Sequence, residues 1–320
     1  MPDERLVPSP GAKPRVAVLL AAYNGVRWLP AQLASILNQE GVSVTVFASV
    51  DQSNDGTQQW LEEQMRCDAR VVLLAPGYFG GAASNFFRLF RDVKFSDFDF
   101  ISLADQDDVW LPDKLSRAVR RLIDTHAAGY SANVTAFWDD GRKQVIDKAQ
   151  PQRAFDFAFE AAGPGCTYVM RRDLAITLQD FAHARPLELA QVYLHDWFIY
   201  AFARARGFCW VIDPSPCMYY RQHASNQVGV NKGLGALLRR VRMIIDGRAF
   251  TQAKTIVRLV GADRMPRVAA LLHGGRIGLL RLSLHARECR RRPRDQVFFF
   301  FACLAYALSP GPSVGRGADK

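Results

Sequence analysis

Apolar residues run unbroken from Val16 to Ala22, stop at Tyr23-Asn24-Gly25, and resume at helical spacing through Leu29, Leu33, Ile36 and Leu37. The continuous run predicts a buried strand over 15–22, and the later spacing predicts a helix over 28–37. The unit repeats: Val42 to Val50 reads as a strand, Asp51-Gln52-Ser53-Asn54-Asp55-Gly56-Thr57 as a polar turn, and a helix follows from about Gln58. A third strand pattern, Phe98 to Leu103, leads directly into Asp105-Gln106-Asp107-Asp108-Val109-Trp110. Strand, loop and helix in this order predict an α/β sheet with its polar loops at the carboxyl ends of strands, the edge where open sheets of this class bind ligands.

The polar residues of those loops suggest a chemistry. Side chains at i and i+2 of an extended segment point the same way, so Asp105 and Asp107 can face one ligand while Gln106 faces away. Such a pair suits a metal–diphosphate complex, one carboxylate taking ribose hydroxyls and the other Mg²⁺ or Mn²⁺, ions that prefer oxygen ligands. The plain alternative is an acidic turn capping the helix that starts near Pro112. Asp51 can accept the N3–H of uracil or thymine, whereas adenine offers no donor at that edge. Tyr23 can cover the face of the base. An Asx turn over Asp51–Asp55 and an ordinary core aromatic are the competing roles.

Taken together, Ala21-Ala22-Tyr23-Asn24-Gly25, Asp51 with Asn54-Asp55-Gly56-Thr57, and Asp105-Gln106-Asp107-Asp108 resemble the family 2 inverting glycosyltransferases of the GT-A fold, a Rossmann-like nucleotide-diphospho-sugar transferase fold. Leu103 to Trp110 followed by Pro112 and Lys114-Leu115, Ser84-Asn85-Phe86 upstream, and Tyr220-Arg221-Gln222-His223 with Asn226 downstream are similar to bacterial rhamnosyltransferases. The resemblance spans about residues 15 to 230. It implies that Asp51 binds the base, with Val50 standing where an acidic residue is often found, that Asp105 faces the ribose, and that Asp107 ligates Mn²⁺ or Mg²⁺. Ala22, Tyr23, Asn24, Asn85, Gln106 and Arg221 are expected at the donor, and His223 at the metal. Gly80 to Asn85 would pass beneath the sugar. Asp108 is expected behind the site or capping a helix.

Displacement at an anomeric carbon needs a base for the acceptor hydroxyl. The resemblance places it at Asp196 in Tyr193-Leu194-His195-Asp196-Trp197, where relatives often carry Glu-Asp; His195 here replaces the Glu and is the competing proton acceptor. An N-cap of the helix Trp197 to Ala203 is the structural alternative. Gly165, Cys166 and Trp197 are expected on the acceptor side, the first two within Gly163-Pro164-Gly165-Cys166-Thr167.

Charge separates the two ends of the chain. The formal net charge is +10, yet residues 231–320 hold 18 Lys and Arg against 5 Asp and Glu, so the remainder is slightly acidic. Leu234, Leu237, Leu238, Val241, Ile244 and Ile245 make an apolar stripe flanked by Arg239, Arg240 and Arg242, the pattern of a helix lying in an anionic membrane interface. Arg290-Arg291-Arg292-Pro293-Arg294 then precedes an apolar run, Val297 to Leu308, too short for an ordinary span. We therefore expect a disordered lead-in over 1–14, a GT-A domain over 15–230, and a basic, membrane-associating helical extension over 231–320; a soluble helical subdomain is its alternative. The first fourteen residues show no apolar signal-peptide core, so the expected place is the cytoplasm, peripheral on the inner membrane. Six cysteines without Cys-x-x-Cys spacing suggest neither zinc nor a disulfide framework.

The expected reaction is transfer of L-rhamnose from dTDP-β-L-rhamnose to a lipid-linked or polysaccharide acceptor in cell-surface glycan synthesis. UDP-galactose or a UDP-N-acetylhexosamine is the alternative donor, since both nucleotides offer the same N3–H. A polyanion-binding protein using the arginine-rich tail, and a catalytically silent nucleotide-sugar scaffold, are the alternatives outside transfer. The acidic balance of residues 1–230 argues against nucleic acid as the partner.

Overall fold

The computed structural model describes residues 12–223 and 248–308. The chain divides into two compact units, one of Met1–Pro151 with Glu160–Val230, the other of Gln152–Phe159 with Asn231–Lys320.

The first unit begins with β1 (Arg15–Ala22), α1 (Leu29–Leu37), β2 (Ser43–Val50), α2 (Thr57–Cys67), β3 (Val71–Leu73) and α3 (Ala82–Asp92). It continues through β4 (Phe100–Ala104), β5 (Val109–Trp110), α4 (Lys114–Asp124), β6 (Gly129–Ala132), β7 (Val134–Phe137) and β8 (Lys143–Ile146). It ends with β9 (Val169–Arg171), α5 (Arg172–Ala184), α6 (Pro186–Leu189), α7 (His195–Ala205), β10 (Trp210–Asp213) and β11 (Met218–Arg221). Seven strands pair in the order β10-β6-β9-β4-β1-β2-β3, all parallel except β9, which opposes both β4 and β6. A second sheet has the order β5-β11-β7-β8.

The unbroken apolar run of β1 has its cause in this topology. The strand lies between β2 and β4, in register at Val18 with Val46 and Ser102, and Val16 to Leu20 are wholly buried. A strand covered on both faces has no reason to alternate. The strand order reverses at β1, so the loops after β1, β2 and β4 open on a topological switch point, where a crevice forms. Behind it, α3 packs against β1 and α5, burying Phe86, Phe87, Leu89 and Phe90.

In the second unit the described helices are α8 (Arg248–Val260), α9 (Pro266–His273), α10 (Gly275–Leu284), α11 (Ala286–Cys289) and α12 (Pro293–Leu308). The short segment Gln152–Phe159 is built into them: Asp156 Oδ2 lies 3.2 Å from Arg291 Nη1, both side chains being inaccessible, and Phe159 meets Phe299 edge-on at 4.9 Å. α12 buries Phe299, Ala302, Cys303 and Ala307 but exposes Val297, Phe301 and Leu308. No helix among the described residues is long and apolar enough to cross a membrane. The expected apolar stripe from Leu234 to Ile245, and Asn226, lie outside the described residues.

Candidate active site

Three loops meet at the switch point, and side chains stitch them together. Gln106 takes the Tyr23 N–H at 2.7 Å and donates back to the Tyr23 carbonyl at 2.8 Å. Through both of its polar atoms Gln106 thus fixes the β1 loop. A Cβ on Gly25 would fall 2.1 Å from Gln106 Oε1, so any larger residue there would push this amide away from the Tyr23 backbone. Asn24, at φ +46, accepts the Asn54 N–H at 2.9 Å, and Asp55 accepts the N–H groups of Thr57 and Val26. The Tyr23 ring is left 57% exposed at the rim.

Asp51, only 6% exposed, receives N–H groups from Gln52, Phe79 and Gly81 at 2.9, 2.8 and 3.1 Å. Its carboxylate therefore draws in the Phe79–Gly81 turn, which needs glycine because Gly80 and Gly81 have φ of +76 and +148. Beside it lies a cleft of about 440 Å³ lined by Asp51, Gln52, Gln58, Pro76, Gly77 and Tyr78 among others. Two expected donor contacts sit behind this surface instead. Asn85 is 2% exposed and its amide is spent on the hydroxyl and carbonyl of Ser49. Ala22 is buried in β1 and its carbonyl accepts the Asp51 N–H at 2.8 Å.

The acidic loop after β4 divides by depth. Asp105 and Asp107 are half-buried and Asp108 is inaccessible. Burial first, then the charges of Asp107 and Asp196, push Asp105 up to about 7. Asp108 rises well above the usual carboxylate range, through burial and its two acidic neighbours. It accepts the Arg221 N–H at 3.2 Å and does not cap α4, whose N-cap position is held by Asp113. Cys166 is fully buried with donor atoms of Asp105 and Asp108 within 4.8 Å, so it lies under the carboxylates instead of facing an acceptor.

β11 closes this side. Arg221 Nε donates to the Asp107 carbonyl at 3.0 Å with its guanidinium 4.5 Å from the Phe137 ring centre. His223 stacks on Trp28 at 4.3 Å and brings Nε2 within 2.7 Å of Asp107 Oδ2. Two donors placed cis around an ion at about 2.1 Å would be about 3 Å apart, so this carboxylate and imidazole fit a small divalent cation with only a slight opening.

The sequence reasoning gave no role to Lys114, and its position in the motif was the available signal. It is inaccessible beneath the acidic loop, 3.3 Å from the Trp110 ring centre and 3.4 Å from Ser102 Oγ. Burial lowers it to about 8.

On the opposite side, α7 starts at His195, two residues before the expected Trp197. Asp196 falls in its first turn, not at the cap, and accepts the Trp197 N–H at 2.7 Å. Burial pushes Asp196 up to about 6 against the opposing pull of that N–H and of Lys148. His195 stacks on Phe86 at 4.1 Å, and its buried Nε2 has no hydrogen-bond partner. Burial lowers its pKa to about 3, which keeps the ring neutral. Gly165 permits this arrangement: a Cβ there would lie 2.7 Å from His195 Nε2 and 3.1 Å from the Asp196 Cβ. Trp197, expected to face an acceptor, is buried on the inner side of α7.

A sequence pattern described as Glycosyltransferase like family 2 matches residues 14–206. The dTDP-rhamnosyl transferase RfbG of Shigella flexneri is 39% identical over 287 residues, covering 89% of this chain and 99% of the relative. Among solved structures, TarS 1-349 of S. aureus in complex with UDP-GlcNAc has a TM-score of 0.52 at 12% identity, covering 92% of this chain and 88% of that one. The mannosyltransferase PcManGT from Pyrobaculum calidifontis, in complex with GDP-Man and Mn²⁺, has a TM-score of 0.51 at 17% identity, covering 94% of this chain and 88% of that one. At such identities the structural likeness speaks for the fold alone. With the acidic loop at the switch point of a GT-A fold, and with a family match over more than half its length, the chain belongs to the family 2 glycosyltransferases.

Proposed function

We propose that the protein transfers L-rhamnose from dTDP-β-L-rhamnose, with inversion, to a sugar of a lipid-linked or polysaccharide acceptor of the cell surface. The observation that carries the reaction is Asp196, a carboxylate in the first turn of α7 raised to about 6 by burial, whose charge also acts on Asp105. A base with a pKa near the working pH is well matched to proton transfer. The near full-length likeness to a dTDP-rhamnosyl transferase supports the donor. Asp51 and its cleft suit a pyrimidine N3–H, and Asp105 the ribose hydroxyls. Asp107 and His223 would hold Mn²⁺ or Mg²⁺, which supplies charge neutralisation on the departing diphosphate. Asp196 takes the proton of the acceptor hydroxyl as its oxygen bonds to the anomeric carbon. The bond from that carbon to the diphosphate oxygen breaks, and its electron pair leaves with dTDP.

Calorimetric titration with dTDP-rhamnose, UDP-galactose and UDP-N-acetylglucosamine, with and without Mn²⁺, tests the donor. The tightest, Mn²⁺-dependent binding is expected for dTDP-rhamnose and should be lost in Asp107→Ala. Preference for a UDP sugar would replace the donor; no binding would return the protein to the polyanion reading.

The same proposal puts the protein at the cytoplasmic face of the inner membrane, where a lipid-linked acceptor is presented. The excess of Lys and Arg in residues 231–320 and the exposed Val297, Phe301 and Leu308 stripe of α12 support this. Deleting residues 297–320 should release the protein from anionic liposomes, and unchanged partitioning would contradict the assignment.

A further inference from the structure

The residue at the start of α1 breaks a local rule. Trp28 occupies the N-cap position, where Ser, Thr, Asp or Asn is favoured, and its side chain makes no cap hydrogen bond. The indole is instead applied to His223: the two ring centres are 4.3 Å apart and the planes lie within 15° of parallel. The chain fixes Trp28 from behind. Its N–H donates to the Gly25 carbonyl at 2.9 Å, and the Gly25 N–H donates to the Thr57 hydroxyl at 2.8 Å.

His223 gains from such a surface. It lies two residues beyond β11, whose pairing with β7 reaches Arg221 and is carried one residue further by the Gln222 N–H, 2.9 Å from the Phe137 carbonyl. Beyond that point the imidazole has Trp28 against its face and Asp107 Oδ2 at its edge, 2.7 Å from Nε2. The lone pair of an imidazole nitrogen lies in the ring plane, so a group that holds the plane also aims the pair.

We propose that Trp28 is a positioning residue for the divalent cation: its indole holds the His223 ring in the plane that lets Nε2 and Asp107 Oδ2 grip one ion. This inference rests on the reading that Asp107 and His223 hold Mn²⁺ or Mg²⁺. A second effect has the same sign. An imidazole bound to a divalent cation gains positive character, which the face of an indole attracts. The three side chains come from the loops after β1, β4 and β11, so cation binding ties these loops together.

The experiment is calorimetric titration with dTDP, with and without Mn²⁺, in wild type, Trp28→Leu, Trp28→Phe and His223→Ala. The readout is the factor by which Mn²⁺ tightens dTDP binding, which separates the cation from the nucleotide contacts. Leucine keeps apolar bulk without a flat face. The factor should fall about tenfold in Trp28→Leu, as for loss of a group that orients a metal ligand. Trp28→Phe, which keeps an aromatic face, should retain it, and dTDP affinity without Mn²⁺ should be the same in all four proteins. An unchanged factor in Trp28→Leu overturns the proposal. So does an equal loss with and without Mn²⁺, which would make Trp28 a prop for the nucleotide loop. His223→Ala separates the two levels: a full Mn²⁺ effect there removes the metal reading itself, whereas its loss there with an unchanged Trp28→Leu removes only the role of Trp28.

Discussion

Asp107 and Asp196 are carboxylates of the same first unit, yet their surroundings prepare them for opposite work. Asp107 sits against an imidazole at 2.7 Å, its carbonyl held by Arg221, at the end of a parallel strand. Asp196 sits in the first turn of a helix, buried, with the Trp197 N–H and a neutral histidine for company. In the proposed reaction the first shares charge with a cation, and the second, raised to about 6, gains and loses a proton near neutrality. Residue type does not separate these roles; burial and neighbours do.

The comparison breaks most visibly at Asp196. Asp196→Asn should lower kcat by about 10³-fold, within the range for loss of a general base, and leave Mn²⁺-dependent donor binding intact. Paired turnover and calorimetry check this; a parallel loss of donor binding would erase the distinction between the two carboxylates. Gly165→Ala tests the packing that sets the acceptor side. The added methyl would press on His195 Nε2 and Asp196 Cβ, so turnover should fall by about 10- to 100-fold, as for a reacting group displaced by about 1 Å, while donor affinity holds. Asn85→Ala sharpens the donor side. It removes the partner of the Ser49 O–H and one donor to the Ser49 carbonyl deep behind the cleft, costing about 1–3 kcal/mol of stability, readable as a lowered denaturation midpoint. Donor affinity should change little, because Asn85 does not reach the surface.

Much of the scaffold was legible from apolar patterning. β1 spans Arg15–Ala22 as expected, since a strand buried on both faces writes a continuous run. β2 starts at Ser43, one residue later than Val42, and β4 covers Phe100–Ala104 where Phe98 to Leu103 was expected. α7 begins earlier than its apolar residues because His195 and Asp196 form a polar first turn, which periodicity does not register. Motif reading found the residues around the crevice but not their depth. Asn85, Cys166 and Trp197 lie behind it, and Gln106 pairs its amide with the Tyr23 backbone. Those outcomes depend on bonds between residues far apart in sequence, such as Gln106 with Tyr23 and Asn85 with Ser49. Nor does composition mark Gln152–Phe159 as part of the second unit; the buried pair of Asp156 with Arg291 does.

The pH dependence of kcat in the wild type and in His195→Phe tests the central claim that Asp196, and not His195, takes the acceptor proton. An acid limb near pH 6 is predicted in both proteins, because the proton belongs to Asp196, raised to about 6, while His195, lowered to about 3, does not titrate there. A limb that disappears or moves in His195→Phe, with turnover surviving in Asp196→Asn, would contradict the account and make His195 the base.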